Sequence, residues 1–386
     1  MKIKKILLLI LSILSLSCSD PDPALEDLVN QLTIETESRY LIANNMSTIP
    51  IQILSNLNPV EATQLNIKYF ANGILIDKDF KTNIAGNYTV WAEVNSIKSN
   101  EIILIARPPE EYTAIEFKVV FHIINSNVLS DDIDKLMEQL NTTFRTPLEN
   151  LDTNAAHTFL QFKLAENDPN GNTLEEKGIT RHQVDPEYTI RFEDWMWDIY
   201  WDPDYYINIW VGDTGSTSSY GNYPVTGCSS TIIGISCNDS DNVNYLHGIA
   251  MTTNHIEYNR SNLVSHEMGH FFGLKHAFND NCNSDSDYCL DTPNYNREYY
   301  DSNSTGIYRE SCDGMKYRSW NIMDYYHQEK SFSITYDQRK RLRTIIDNSK
   351  WSGVLGSQNI STGRFQIKKN IKKPENYRLN QKNIIN

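Results

Sequence analysis

The sequence is poor in cysteine and in positive charge. Six cysteines in 386 residues are too few for a fold that depends on a disulfide framework. Lysine and arginine total 35 against 49 aspartate and glutamate residues, which gives a net charge of −14. That deficit argues against a nucleic-acid-binding protein, whose affinity depends on neutralising phosphates. A hydrophobic content of 40% supplies enough apolar residues for buried cores and excludes a wholly disordered chain.

Long apolar segments are equally scarce, and the N-terminus carries the one that stands out. Three lysines stand among the first five residues, and an apolar stretch follows over residues 6–16, interrupted by two serines. The stretch is too short to cross a bilayer as a helix, which takes about 20 apolar residues. A basic start followed by a short apolar run is typical of a secretion signal, so we predict a signal peptide over residues 1–17.

A cysteine follows the end of this segment. Residues 14–18 read Leu-Ser-Leu-Ser-Cys, which resembles the end of a bacterial lipoprotein signal, in which the cysteine becomes the lipidated N-terminus. The resemblance implies a lipid on Cys18, a short tether over residues 18–23, and a place at the outer membrane or cell surface, because several acyl chains anchor a protein stably. The alternative is an ordinary cleaved signal, which would leave the protein secreted.

Residues 24–107 consist of short alternating apolar runs, which predict β-strands. Asn72-Gly73 between two such runs is typical of a hairpin turn. The segment 86–92 resembles the late strand of an immunoglobulin-like sandwich, and the absence of cysteine from this region excludes a disulfide-pinned variant. We therefore expect an all-β immunoglobulin-like domain that acts as a spacer, an adhesion module or a substrate-binding exosite.

The pattern changes after residues 108–112, where a pair of prolines predicts an extended linker. Over residues 113–355 strands and helices alternate, which predicts a layered domain that contains both. The predicted elements are strands at 117–124, 159–164 and 206–211, a helix at 131–144 with Ser130 as its N-cap, and a helix that ends within 195–200. Residues 356–386 form a basic tail, in which seven lysines and arginines accompany one glutamate. We expect this tail to be disordered, with docking to an acidic surface polymer as the alternative.

The most informative segment contains three histidines at ligand spacing. His266 and His270 are four residues apart, so a helix places both imidazoles on one face, and Glu267 lies beside the first of them. A straight helix cannot bring a third ligand to the same ion, but Gly273 permits a sharp turn after which His276 can return. Three protein ligands and one open position are typical of catalytic rather than structural zinc.

The full pattern H-E-x-x-H-x-x-G-x-x-H resembles that of the metzincin metalloproteases, in which a Met-turn follows. The sequence Asn-Ile-Met-Asp-Tyr at 321–325 lies at a distance from the histidines that is usual in that family. The resemblance implies that Met323 forms an apolar floor beneath the zinc. It also implies that Tyr325 approaches the metal and steadies the transition state.

A closer resemblance is to the pappalysin family within the metzincins, and it covers about residues 112–350. It rests on Gly-Leu-Lys-His-Ala-Phe at 273–278, on Asp-Tyr-Cys-Leu-Asp-Thr-Pro at 287–293, and on the edge segment Tyr-Gly-Asn-Tyr-Pro at 220–224. It implies an α+β zincin fold with a twisted mixed sheet, two long helices, and an irregular lower half after Gly273.

This resemblance implies a zinc-dependent endopeptidase that acts on protein or peptide substrates. The metal then activates a water molecule, Glu267 takes the proton of that water as general base, and Tyr325 donates a hydrogen bond to the oxyanion. Two alternatives remain open. One is an inactive zincin that serves as a surface adhesion or binding protein, and the other is a structural envelope protein in which zinc only stabilises the fold. Nothing in the sequence indicates an oligomeric state.

The other histidines lack ligand spacing and are predicted to be structural or solvated. They are His122, His157, His182, His247, His255 and His327. For two of them, His247 and His255, a position along the cleft is kept as an alternative, because both lie upstream of the predicted zinc helix.

The resemblance also implies a structural calcium ion. Asp287 would bind it through its carboxylate, and Leu290 and Thr292 would bind it through their backbone carbonyls. The alternative is an aspartate-rich surface loop that holds no metal.

Five cysteines follow the predicted lipidation site, and export favours disulfide bonds among them. Cys228 and Cys237 can close a short loop, and the pappalysin resemblance implies a pair between Cys282 and Cys312. Cys289 is left over, and it could instead take either member of the second pair. No cysteine is available in the predicted β domain for a cysteine switch on the zinc, so an aspartate-based switch or no latency remains.

Overall fold

The structure, a computed structural model, describes most of the chain from residue 23 onward. The described residues are 23–145, 152–184, 192–213, 218–239, 246–257, 261–279, 282, 287–299, 307–325, 332–350 and 353. The predicted signal (1–17), Cys18, most of the tether and the basic tail (356–386) lie outside them, as does His327. Among the described residues, no helix is long and apolar enough to cross a membrane.

The N-terminal region is built almost entirely of strands, which are short because turns interrupt every apolar run. Its elements are a 3₁₀ turn (Leu25–Leu28), β1 (Leu32–Glu35), β2 (Tyr40–Ile42), β3 (Ile49–Pro50), β4 (Gln52–Ser55), the one-turn helix α1 (Pro59–Ala62), β5 (Lys68–Ala71), β6 (Ile74–Ile76), β7 (Asp79–Phe80), β8 (Gly86–Val94), β9 (Ile97–Lys98) and β10 (Ile102–Arg107). The main sheet has the order β2-β10-β8-β5-β6, with β9 paired to β8, and β1-β4 and β3-β7 form two smaller sheets. Toward the end of β8 and in the middle of β10, alternate residues are buried, which indicates that one face of this sheet packs against the core.

Two local predictions can be compared with this region. Strands β5 and β6 pair antiparallel around Asn72-Gly73, and both turn residues have positive φ, 50° and 81°, as a type I′ hairpin requires. The Tyr88 hydroxyl donates to the Ile84 carbonyl at 2.8 Å, a bond of the kind that immunoglobulin-like folds make at a strand corner. The hairpin is therefore confirmed, while the immunoglobulin-like class stays a prediction.

The second region combines helices with a mixed sheet. Its elements are β11 (Ile115–Ile124), α2 (Ser130–Arg145), β12 (Leu160–Leu164), β13 (Ile179–His182), α3 (Phe192–Asp198), β14 (Tyr206–Gly212), β15 (Tyr220–Gly221), β16 (Val225–Thr226), β17 (Ser236–Cys237), β18 (Gly248–Thr252), α4 (Thr253–Glu257), α5 (Ser261–Phe271), a 3₁₀ turn (Arg297–Tyr299), β19 (Tyr308–Glu310), β20 (Lys316–Arg318), α6 (Tyr336–Asn348) and β21 (Ser349–Lys350). The main sheet has the order β12-β11-β14-β18-β15, with β13 also paired to β11. Only β15 runs antiparallel to its neighbour, so the predicted mixed sheet is present.

The core of this region lies between the sheet and the helices α2 and α5. Every residue of β14 and β18 is buried, which fits central strands that are covered on both faces. Phe117 of β11, Phe144 of α2 and Phe272 after α5 meet in this core, with ring centroids 5.1–6.3 Å apart where they contact. The apolar positions that predicted α2 are the ones it buries.

One prediction about α2 is wrong. Ser130 is not the N-cap, because the carbonyl of Leu129 already accepts the first helical hydrogen bonds, from Asp132 and Ile133. The Ser130 hydroxyl donates instead to the carboxylate of Glu176, at 2.7 Å. A serine at a helix start thus bonds across to another segment rather than to its own helix.

Candidate metal centre

Helix α5 and the turn after it bring the three predicted ligands together. His266 and His270 lie on the same side of α5, which ends at Phe271. Gly273 then has φ of +84°, in the left-handed region that favours glycine, and the chain reverses toward His276. A Cβ at Gly273 would lie 2.5 Å from the Ile345 side chain, so the turn is also too tightly packed for a larger residue.

The Nε2 atoms of the three histidines face one another. The Nε2 of His276 lies 3.1 Å from that of His270 and 3.3 Å from that of His266. Three nitrogens bound tetrahedrally to one zinc ion at about 2.0–2.1 Å would lie about 3.3–3.4 Å apart, so the spacing fits that ion. Among the described residues, this is the one group of three or more histidine, cysteine, aspartate or glutamate side chains that is placed to share a metal.

The other ring nitrogens of the two helical ligands are held by backbone carbonyls. Nδ1 of His266 lies 2.6 Å from the Ile322 carbonyl, and Nδ1 of His270 lies 2.9 Å from the Leu274 carbonyl. A carbonyl can only accept, so each Nδ1 carries the proton and each Nε2 presents a lone pair. Burial lowers the pKa of His266 to about 4 and that of His270 to about 3, which keeps both imidazoles in the neutral form that binds a metal.

Glu267 is buried beside these ligands. The backbone N–H of Gly221 donates to its carboxylate, while Oε2 has no hydrogen-bond partner among the described residues. Burial raises the pKa of Glu267 to about 8, against the lowering effect of the Gly221 N–H. A Cβ at Gly221 would lie 2.3 Å from the Glu267 backbone carbonyl, so only glycine lets strand β15 approach α5 this closely. A buried carboxylate oxygen without a protein partner suits a proton acceptor that faces a reacting group.

The predicted Met-turn packs against the histidine helix. Met323 is fully buried, and a Cβ at Gly269 would lie 2.4 Å from its sulfur. Its carbonyl accepts from the N–H of Ala277, the residue after the third ligand. The side chain of Met323 therefore lies against α5 at Gly269, next to the ligand His270, and its role as a floor beneath the zinc stays a prediction.

Tyr325 lies at the edge of the site. Its ring centroid is 4.6 Å from that of His276 and 5.8 Å from that of His266. The guanidinium of Arg297 lies 4.4 Å from the Tyr325 ring centroid. The ring therefore sits close to two of the three metal ligands, and its approach to substrate stays a prediction.

Sequence reasoning missed the residues that hold Tyr325. Arg309 and Asp324 form a buried ion pair at 3.4 Å, and Arg309 also donates to the Tyr325 carbonyl at 3.1 Å. The Tyr325 N–H donates to the Asp324 carboxylate at 2.7 Å, and Tyr295 donates its hydroxyl to the same oxygen. Asp324 lies within the Met-turn motif, and a buried aspartate there needs a cation, but nothing in the sequence pointed to Arg309.

A second missed residue belongs to the edge segment at 220–224. The Tyr223 hydroxyl lies 3.2 Å from Nδ1 of His270, and the two rings are 5.3 Å apart. The similarity of residues 220–224 to the pappalysin edge segment marks this stretch, but the sequence does not show that Tyr223 contacts a metal ligand.

The predicted calcium loop is closed by its own hydrogen bonds. The buried carboxylate of Asp287 accepts from the Cys289 N–H at 3.0 Å and from the Thr292 hydroxyl. Leu290 is exposed, and Asp291 bonds away from the loop, to Asn154 at 2.7 Å. These bonds favour the alternative of a loop that needs no metal, and no observation supports calcium.

The cysteines pair as predicted. The structure joins Cys228 to Cys237 and Cys282 to Cys312, and Cys289 is a free, buried thiol. This settles the partner left open for Cys289.

The two histidines considered for the cleft have structural surroundings. His247 is buried, stacks on Phe271 with centroids 4.1 Å apart, and lies 3.3 Å from the Phe271 carbonyl. His255 bonds to Ser219 at 2.7 Å. His122 is fully buried between Thr180 and Asn208. These contacts agree with the predicted structural role of His122 and His247, and a position of His255 along the cleft stays a prediction.

Comparison with known proteins connects this geometry to a family. Residues 192–347 match the pappalysin family model, described as pregnancy-associated plasma protein-A, so the resemblance read from the motifs is confirmed. Among solved structures, mature mirolysin of Tannerella forsythia in complex with a cleaved peptide is 23% identical, with 64% of this chain and 97% of that chain covered and a TM-score of 0.47. A promirolysin mutant of the same organism is 23% identical, with coverage of 64% and 85% and a TM-score of 0.47. Mirolysin in complex with compound 9 is 24% identical, with coverage of 61% and 93% and a TM-score of 0.45. No curated protein matches the chain significantly.

Proposed function

We propose that this protein, whose segment 192–347 matches the pappalysins, is a zinc-dependent endopeptidase. The observation that carries the proposal is the convergence of three Nε2 atoms beside a buried, unpartnered carboxylate oxygen of Glu267. A structural zinc site would fill its fourth position with a protein ligand. The described residues supply three ligands, and Glu267, which directly follows His266 on α5, is not placed to be a fourth.

Each residue then has a distinct task. His266, His270 and His276 would hold the zinc, which when bound polarises a peptide carbonyl and lowers the pKa of water. Glu267 takes a proton from the attacking water and passes it to the leaving amine. Burial raises the pKa of Glu267, and a zinc cation held beside it would lower that pKa again, which suits a group that takes up and releases a proton near neutral pH. The Tyr325 hydroxyl donates to the carbonyl oxygen as negative charge develops on it.

Casein cleavage by the purified chain tests the proposal. We expect one zinc per chain by elemental analysis, cleavage that a chelator stops, and recovery when zinc is restored. Glu267→Gln keeps the three ligands but removes the proton acceptor, so zinc content should stay the same while cleavage falls by about 10²–10⁴-fold. A wild-type chain that binds one zinc but cuts neither casein nor a peptide panel would leave the inactive, adhesive zincin as the better interpretation.

We also propose that the chain is exported and anchored through a lipid on Cys18. The support is the N-terminal sequence, with its basic start, short apolar run and cysteine. Cys18→Ser should move the protein from the membrane fraction to the soluble fraction. The mass of the mature N-terminal peptide should show acyl chains on the wild type. An unmodified N-terminus on a soluble wild-type chain would rule out the anchor.

A further inference from the structure

The segment between β1 and β2 makes ion pairs with the hairpin formed by β19 and β20. The Glu37 carboxylate lies 2.6 Å from Nε of Arg318, at the end of β20. The guanidinium of Arg39 lies 2.9 Å from the Asp313 carboxylate, in the turn of that hairpin. Glu37 and Arg318 are 281 positions apart in the sequence, so this pair joins separate parts of the fold.

A second set of contacts involves β2 and the start of α6. Thr153 donates its hydroxyl to the Tyr40 carbonyl at 2.8 Å and accepts at its own carbonyl from the Ile42 N–H at 3.3 Å. Arg107, at the end of β10, lies 3.0 Å from Asp337 in the first turn of α6. These are backbone and partly buried contacts, which hold position better than exposed side-chain pairs do.

The linker that follows β10 is also fixed against α6. The guanidinium groups of Arg339 and Arg343 each lie 5.1 Å from the centroid of the Tyr112 ring. The Tyr112 hydroxyl donates to the Glu110 carboxylate at 2.9 Å, and Glu110 lies 3.5 Å from Arg339. The linker is therefore held at Glu110 and Tyr112 by the second region, which is called the catalytic region below.

The segments that the β strands contact are those that hold the Met-turn. Asn321 and Gln338 of α6 exchange two side-chain hydrogen bonds, at 2.8 and 3.0 Å. The Asn321 side chain also accepts from the Met323 N–H at 2.8 Å, and the Ile322 N–H donates to Ser333 at 3.0 Å. The carbonyl of Ile322 accepts from the ligand His266. A continuous set of bonds thus leads from the β strands, through α6 and the hairpin, to a metal ligand.

A cavity of about 470 Å³ lies between the two regions. Glu37 and Arg318 line it, as do Ala277 and Asn321, which adjoin the third ligand and the Met-turn. The Glu37–Arg318 pair lies at this cavity, so its loss should be felt by the other segments that line the cavity.

We propose that the N-terminal β region is a permanent brace of the catalytic region, which positions the Met-turn segment (319–325) beneath the metal ligands. This role differs from a spacer, an adhesion module or a removable prosegment, because it requires the β region to stay attached during catalysis. Glu37, Arg39 and Arg107 are then positioning residues that act through the hairpin and α6. The expected change in kcat rests on the proposed peptidase function, whereas the expected change in hydrogen exchange does not.

Charge reversal inside the β region tests the brace. Glu37→Arg removes the pair with Arg318 and replaces it with repulsion, while no residue of the catalytic region is altered. We expect kcat to fall about 3- to 10-fold with KM unchanged within about twofold, which is the size of effect that remote coupling produces. The reciprocal double variant Glu37→Arg with Arg318→Glu should recover most of the loss. Lys98→Glu is the matched control, since Lys98 pairs with Glu101 within the β region, and it should leave kcat unchanged.

A second measurement does not depend on peptidase activity. Amide hydrogen exchange of residues 319–325 should be about 3- to 10-fold faster in Glu37→Arg than in the wild type, and zinc should pass to a competing chelator faster. Arg39→Glu should act in the same direction. Unchanged exchange and unchanged zinc release in both variants would overturn the brace, even if the chain proves to be a peptidase. Faster exchange in a chain that never cuts a substrate would support the brace and refute the proposed function.

Discussion

The turn at Gly273 offers a sharp test of how the metal centre is built. Its φ of +84° is unfavourable for any residue with a side chain. A Cβ at this position would also lie 2.5 Å from Cδ1 of Ile345 and 3.2 Å from the Pro224 ring. Gly273→Ala therefore meets two separate obstacles, one in the backbone and one in packing. Because His276 follows three residues later, a shifted turn would also displace the third metal ligand.

The two obstacles have different sizes. A left-handed conformation costs an L-residue about 1–2 kcal/mol. Overpacking a filled core costs about 1–3 kcal/mol more. Gly314→Ala is a matched control, because Gly314 has a φ of +86° but no atom within 4 Å of a built Cβ. We expect Gly273→Ala to lose about 2–5 kcal/mol of unfolding free energy and Gly314→Ala about 1–2 kcal/mol.

Urea unfolding of the metal-free variants measures these losses, and chelator competition measures zinc affinity. Gly273→Ala should also bind zinc more weakly, while Gly314→Ala should bind it as the wild type does. Equal losses of stability in the two variants would refute the packing argument. Wild-type zinc affinity in Gly273→Ala would refute the link between this turn and the third ligand.

Three further predictions concern stability. Burial lowers the pKa of His122 to about 3, so below the ordinary pKa of about 6.5 the unfolded chain binds a proton that the folded chain does not bind. The free energy of unfolding should therefore fall by about 2 kcal/mol between pH 6.5 and pH 5. Urea titrations at the two pH values should show that His122→Gln removes this part of the fall. Arg309→Met should leave Asp324 buried without its cation and cost about 3–5 kcal/mol in thermal unfolding, which Asp324→Asn in the same chain should partly relieve. Replacing Cys282 and Cys312 by alanine should lower the free energy of unfolding by about 3–4 kcal/mol, as the entropy of closing a loop of 30 residues implies, and denaturant unfolding measures this loss. A loss near zero would contradict this estimate from loop entropy.

The metal ligands could be predicted from sequence because their geometry is local. Helical spacing fixes His266 against His270, and one glycine with positive φ decides where the chain turns toward His276. The hairpin at Asn72-Gly73 was predictable for the same reason, since two adjacent residues determine it. In these short segments the residues that decide the geometry are only a few positions apart.

The supports of the site could not be predicted, because they come from distant parts of the chain. Tyr223 reaches His270 across 47 positions, and Glu37 reaches Arg318 across 281. The error at Ser130 has the same origin, since its hydroxyl has a choice between its own helix and Glu176, 46 positions away. Residue type states what a side chain can bond to, but only the fold decides which partner is near.

The Met-turn illustrates how a motif can mark a residue while a neighbour makes the decisive bond. The carbonyl of Ile322 accepts from Nδ1 of His266 at 2.6 Å and so fixes which ring nitrogen faces the metal. Met323 contacts the helix only by packing, against a position where Gly269 leaves room for its sulfur. A flexible, unbranched side chain fits such a gap well, which explains the residue type. The electronic effect on the ligand, however, comes from a backbone carbonyl, whose position depends on Asn321, α6 and the β strands that contact them. The identity of the metal ligands is thus encoded locally, whereas their orientation is set by the packing of the two regions.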